Sequence, residues 1–284
     1  MKNIIIRSLS GAVYVALIVC SIIFADGLYF PVLCAFFAAV GVWEFQKMTL
    51  SDFYKAPLTL LDDVVITMLL PLSFVISLTM FGSTAVFILI SLLVMVRLIM
   101  ALYSRDTDPV RRIAYSAASW LYIGMGLMFA CYARWIVGPM GLLLMFIMVW
   151  LNDTGAFLVG SMIGRHRLFP RLSPKKSWEG FFGGVLFSVA AGVLAPILFP
   201  EQFFGFTPLC LGILGAVVSV MATWGDLFES MIKRHSGVKD SGNIIPGHGG
   251  ILDRIDSLLF VAPAMVLYMY IYTIFTDFIL IQGA

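Results

Sequence analysis

Runs of about twenty apolar residues, separated by short polar interruptions, recur from one end of the chain to the other. A helix crossing a ~30 Å hydrocarbon layer needs roughly that many residues, at 1.5 Å of rise each. The pattern predicts about nine membrane-spanning helices, near residues 8–25, 28–45, 64–81, 84–103, 113–133, 139–162, 180–199, 207–226 and 257–276. The expected fold is an all-α, polytopic integral membrane bundle. Its first span follows Lys2 and Arg7 as a secretion signal would, but no small-x-small site follows Ile23-Phe24-Ala25-Asp26, so it reads as a retained anchor helix.

Composition supports this reading, since 61% of residues are hydrophobic and 12% charged, against roughly 25% charged in soluble domains. Mean hydropathy is +1.00. A net charge of +2 gives no reason to expect a nucleic-acid partner. Cys20, Cys34, Cys131 and Cys210 are scattered in apolar stretches and suggest neither a disulfide framework nor a zinc site.

Charge placement adds an orientation. With the N-terminus inside and nine spans, the C-terminus falls outside, and every basic residue except Arg97 and Arg134 falls on the inner side. Arg97 is expected to snorkel from the inner end of the fourth span. The expected location is the cell (inner) membrane, with chemistry on the cytoplasmic face, where the segments 163–179 and 226–256 are long and polar. The second of these, at about 30 residues, is shorter than the ~40 that build a core alone, so the bundle, a metal or a ligand must organise it. Residues 1–140 read as supporting, lipid-contacting spans and 141–284 as the catalytic region. Neither repeats nor a linker divide them, and pairing with a second copy is left open.

The polar residues of 225–257 carry the clearest chemistry. Asp226, Glu229 and Lys233 share a face if the eighth span continues as a helix, and Asp253 and Asp256 repeat the i, i+3 spacing where the ninth begins. Paired acids at helix ends repel unless a cation sits between them, and oxygen ligands suit Mg²⁺. Lys233, Arg234, Lys239 and the Pro246-Gly247-His248-Gly249-Gly250 turn add phosphate-binding capacity. Individually these residues are also explained as helix caps and membrane anchors. His166, His235 and His248 are scattered, and none is assigned as a general base.

Two further stretches belong to this picture. Ser173-Pro174-Lys175-Lys176-Ser177-Trp178-Glu179-Gly180 resembles an anion-binding lip, although Lys-Lys before Trp is also a common interfacial anchor. Glu179 there needs a partner. Trp150 to Phe157 places Asn152 and Asp153 inside an apolar span, where an acid is costly; Asp153 is expected to face the bundle interior. Glu44 and Arg97 are expected to make structural pairs.

The run from Ser230 to Ser257, SMIKRHSGVKDSGNIIPGHGGILDRIDS, resembles the signature of the phosphatidate cytidylyltransferases, and the stretches 152–156 and 173–180 are also similar to that family. The resemblance covers the C-terminal half most strongly. It implies condensation of CTP with phosphatidate to CDP-diacylglycerol and pyrophosphate in phospholipid biosynthesis, with Mg²⁺ required and a second cation allowed. Asp226 and Asp253 are the first expected metal ligands and Asp256 the next, with Asp153, Glu179, Glu229 and Asp240 in support. Asp226, Asp253, Lys175 and Lys239 are the expected catalytic residues. Ser173, Lys175, Lys176, Ser177, Lys233, Arg234, Lys239, Gly249, Gly250 and Arg254 are expected to bind substrates. Rival readings are a transporter of anionic solutes, which would show repeated halves with broken helices, and a CTP-using kinase of isoprenoid-like alcohols.

Overall fold

A computed structural model of the chain describes residues 2–24, 27–50, 57–79, 82–104, 108–245 and 249–282. Among the described residues there are nine α-helices: α1 (Lys2–Ile23), α2 (Tyr29–Thr49), α3 (Pro57–Thr79), α4 (Gly82–Leu102), α5 (Pro109–Ser119), α6 (Met125–Ile163), α7 (Trp178–Leu198), α8 (Pro208–His235) and α9 (Leu252–Gln282). A π-helical turn, Trp120–Gly124, joins α5 to α6. Among the described residues, six helical stretches are long and apolar enough to cross a membrane, so the chain reads as a multi-pass membrane protein. One of these stretches, Pro109–Ile163, is broken at Gly138 (φ 71°, ψ 178°), immediately before Pro139. The break falls where the pattern separates two spans. Proline removes a helix donor, and positive φ suits glycine, so the two residues together end one helical arm and start the next.

The chain forms two compact units. The first comprises residues 1–131 and 232–255. Its apolar core includes Phe30, Phe37, Val42, Phe45, Ile66 and Ile123. Helix α5 starts cleanly because Asp108 accepts from the Arg111 amide at 2.9 Å and Pro109 occupies its first turn. Arg97 does not snorkel, being 1% exposed. It donates to Asp63 at 3.2 Å and to Ser116 at 2.9 Å, while Ser116 Oγ and Gln46 Nε2 donate to Asp63 Oδ2 at 2.6 and 2.7 Å. A guanidinium inside apolar helices is stable only when paired in this way, and the acid that pairs it lies on α3.

The second unit comprises residues 132–231 and 256–284. Gly180, Gly184, Ser188 and Gly192 recur every fourth residue along α7. A Cβ at Gly184 would strike Asn152, one at Gly192 the Leu211 carbonyl, and one at Gly215 of α8 the Ser188 carbonyl. Small residues thus let the backbones of α6, α7 and α8 approach closely, the usual means of helix association in lipid. Between α6 and α7, where the sequence suggests only a polar loop, the chain forms an antiparallel hairpin of β1 (Arg167–Phe169) and β2 (Ser173–Ser177), with Arg167 opposite Ser177. Among the described residues the fold is therefore helical with one small sheet.

Candidate functional site

In the second unit α8 runs past the apolar span to carry Asp226 and Glu229 one turn apart, the helical continuation that their spacing requires. Asp256, near the start of α9, joins them. Carboxylate oxygens of Asp226, Glu229 and Asp256 lie within 4.8 Å of one another. Glu229 and Asp256 are buried and Asp226 is partly exposed. At this spacing each pair of carboxylates repels by on the order of 3 kcal/mol even at an effective dielectric of about 20. Lys176, 2.5 Å from Asp226 Oδ2, offsets part of that charge. Hard oxygen donors in such a group fit a divalent cation of the Mg²⁺ type. Ser230 Oγ donates to Asp226 Oδ1 at 3.3 Å, and the Ser257 amide donates to Asp256 Oδ1 at 2.6 Å. Asp256 thereby sits at the head of α9 with its position fixed by the backbone.

Lys176 comes from β2, and its placement follows from how the hairpin is tied to α7. Ser177 caps that helix, accepting from the Gly180 amide at 3.1 Å. Glu179 accepts from the Arg165 and His166 amides at 3.1 and 3.2 Å and pairs with His166 Nδ1 at 2.6 Å. The partner that Glu179 needs is thus the hairpin itself. The Trp178 amide closes the hairpin base by donating to the His166 carbonyl at 2.9 Å.

A cavity of about 520 Å³ opens beside these groups. Lys175, Lys176, Arg167, Ser177, Asn152, Asp153, Ser161, Thr223 and Asp226 supply its polar lining, and Phe157 and Phe181 contribute apolar wall. Asp153 does not face the bundle interior; it is exposed on the cavity wall. The inward residue is its neighbour Asn152, which is buried and accepts from Ser219 Oγ at 2.5 Å. Three polar wall residues, Ser161, Arg167 and Thr223, are not singled out by the sequence. Arg167 was grouped with the topology-setting bases, and it donates to the Lys175 carbonyl at 3.5 Å. Thr223 had a usable signal, since Ser219, Thr223 and Asp226 follow one another at helical spacing on α8.

Apart from Ser173, the remaining expected site residues belong to the first unit. Asp253, expected with Asp226 as a first metal ligand, is not one of the three grouped acids, a place that Glu229 takes, and is instead surrounded by four donor atoms. Lys233 Nζ reaches its Oδ1 at 2.6 Å, and the Ser241 amide, Ser241 Oγ and Gly250 amide reach its Oδ2 at 2.9, 3.0 and 2.8 Å. Gly250, expected to offer its amide to phosphate, gives it to Asp253. Gly249 takes φ +84° opposite Ile245, and a Cβ there would press on Asp253 at 2.6 Å. Lys239, Asp240, Arg234 and Arg254 are exposed. Arg234 donates to the Val238 carbonyl at 3.3 Å, and the Arg254 carbonyl accepts from Tyr14 at 2.9 Å. Ser173 is half-buried on β2. Pro246, Gly247 and His248 lie outside the described residues.

The profile of the cytidylyltransferase family matches residues 5–272. A phosphatidate cytidylyltransferase of Staphylococcus epidermidis is 44% identical over 152 residues, which cover 54% of this chain and 57% of that protein. Proteins of the same name from Staphylococcus aureus and Staphylococcus haemolyticus are 45% and 43% identical, again over 57% of their lengths. The matched segment spans little more than half of each relative.

Proposed function

The chain belongs to the cytidylyltransferase family, and on that premise we propose that it condenses CTP with phosphatidate to give CDP-diacylglycerol and pyrophosphate at the membrane surface. The observation that carries the reading is the cavity whose wall holds Lys175, Lys176 and Arg167 together with Asp226 of the carboxylate group, Lys176 being paired with that acid. Basic side chains suit the phosphates of two anionic substrates, the acids suit the cation that accompanies a nucleoside triphosphate, and the apolar wall suits a lipid.

In the proposed reaction a phosphate oxygen of phosphatidate attacks the α-phosphorus of CTP. The bond from that phosphorus to the bridging oxygen breaks, and pyrophosphate leaves with the electron pair. Asp226, Glu229 and Asp256 would hold Mg²⁺, whose bound charge offsets that of the triphosphate and the leaving group. Lys175, Lys176 and Arg167 hold phosphate oxygens in the cavity, and Ser173 and Ser177 fix the hairpin that carries the lysines. Lys233, Arg234, Lys239 and Arg254 are proposed as further phosphate-binding cations, with Asp253 setting the direction of the Lys233 ammonium. Nine spans, an inward N-terminus and a cytoplasmic site complete the proposal, supported by the one-sided distribution of basic residues.

The test is direct. Purified protein in detergent, given CTP, phosphatidate and Mg²⁺, should release pyrophosphate and form CDP-diacylglycerol in equal amounts. Absence of lipid-linked CMP overturns the reading, and phosphate transfer to an alcohol with release of CDP would replace it by a kinase.

A further inference from the structure

Helix α9 starts at Leu252, and the residue ahead of it, Ile251, has no side-chain acceptor for the helix's first amides. Those amides need one, and Ser, Thr, Asp or Asn in the chain itself normally provides it. Here the acceptor comes from α2, about two hundred residues earlier. Glu44 accepts from the Ile251 amide on one carboxylate oxygen at 3.1 Å and from the Leu252 amide on the other at 2.8 Å. Ser241 Oγ lies 3.1 Å from that second oxygen and 3.0 Å from Asp253 Oδ2, so its single hydrogen is shared between the two carboxylates. Glu44 is fully buried, and Gly242 and Gly250 pass so close that a Cβ at either would strike its carboxylate.

The same Ser241 hydroxyl stands 3.0 Å from Asp253 Oδ2, and Asp253 Oδ1 accepts from Lys233 at 2.6 Å. A continuous series of polar contacts therefore runs from Glu44 through Ser241 and Asp253 to Lys233. A single carboxylate fixes both the first amides of α9 and the hydroxyl that steadies Asp253. We propose that Glu44 is a positioning residue that sets the Lys233–Asp253 pair from within α2, so that the N-terminal helices shape the reacting machinery besides supporting it. The proposal rests on the reading that Lys233 and Asp253 serve nucleotidyl transfer.

Glutamine keeps the size of Glu44 but offers one acceptor oxygen, so one amide of α9 must face an NH₂ group. In the full chain in detergent, Glu44→Gln should lower kcat at least about tenfold, the effect of one charge-assisted hydrogen bond, while KM for CTP stays within about twofold. Amide hydrogen exchange at residues 249–252 should quicken by about tenfold or more, with exchange in α3 and α4 unchanged. Ser241→Ala, which leaves the amide bonds of Glu44 intact, should give a smaller effect of the same kind, and the double variant should be no worse than Glu44→Gln alone. Unchanged exchange at 249–252 in Glu44→Gln overturns the proposal. So does faster exchange spread evenly over α2, α3 and α4, which would mark general loosening. If the wild-type chain forms no CDP-diacylglycerol, the functional reading fails by itself, and the exchange comparison still decides whether Glu44 holds the loop.

Discussion

Lys176 Nζ stands 2.5 Å from Asp226 Oδ2, so that one ion pair ties the β-hairpin after α6 to α8. Both side chains are partly exposed, and pairs of that kind stabilise a fold by less than about 1 kcal/mol. The pair matters more for what it places: a cation and an acid on one cavity wall. Lys176→Ala should raise KM for CTP or phosphatidate about tenfold and leave the melting temperature almost unmoved, as steady-state kinetics and thermal unfolding in detergent would report. A drop in melting temperature with unaltered KM would assign Lys176 to structure alone.

The carboxylate group makes a separate prediction. Asp226→Asn, Glu229→Gln and Asp256→Asn each remove one charged oxygen donor, so the Mg²⁺ concentration for half-maximal turnover should rise by about tenfold or more. Titration of Mn²⁺ binding by electron paramagnetic resonance measures the same loss without turnover. Equal metal affinity in all three variants would show that the acids cluster for another reason.

Asp253→Asn should reduce turnover by at least about a hundredfold while the protein still inserts and folds. The amide cannot hold the Lys233 ammonium as a carboxylate does, and its NH₂ would face the Ser241 or Gly250 amide. Lys233→Met should produce a loss of similar size. Retained activity in both variants would remove the pair from the reaction.

Breaking the buried Asp63–Arg97 pair should be costly without any direct effect on substrate binding. Asp63→Asn leaves a guanidinium uncompensated among apolar helices, and the expected loss of stability is about 3–5 kcal/mol. The double variant Asp63→Asn with Arg97→Gln should recover part of it, a coupling that thermal unfolding of the four proteins measures.

The helices were legible in the sequence because lipid imposes a simple length rule, and the break at Gly138 falls between two runs that the rule had already separated. The helical spacing of Asp226 and Glu229 was equally legible, since one element places both. What the sequence hid are pairings across long separations. Nothing near Arg97 announces Asp63, and nothing near Glu44 announces the amides of Ile251 and Leu252. For Arg97 the expected structural pairing holds and the snorkelling does not, but its acid, Asp63, had no local signal, and Asp153 read as inward where it is exposed. The hairpin escaped for a different reason. Ser, Pro and Lys have little strand propensity, and the strands are held by Glu179 and the adjoining helices more than by their own composition.

The buried pair of α3 and α4 bears on how the two helices tolerate lipid. A helix carrying a lone arginine enters lipid at a penalty of about 2.5–3.5 kcal/mol near its centre, and α4 carries Arg97. The counter-charge is on the helix synthesised just before it. Pairing α3 with α4 offsets that kind of penalty, so neither helix is well suited to lipid without the other and the stability of each is coupled to its neighbour.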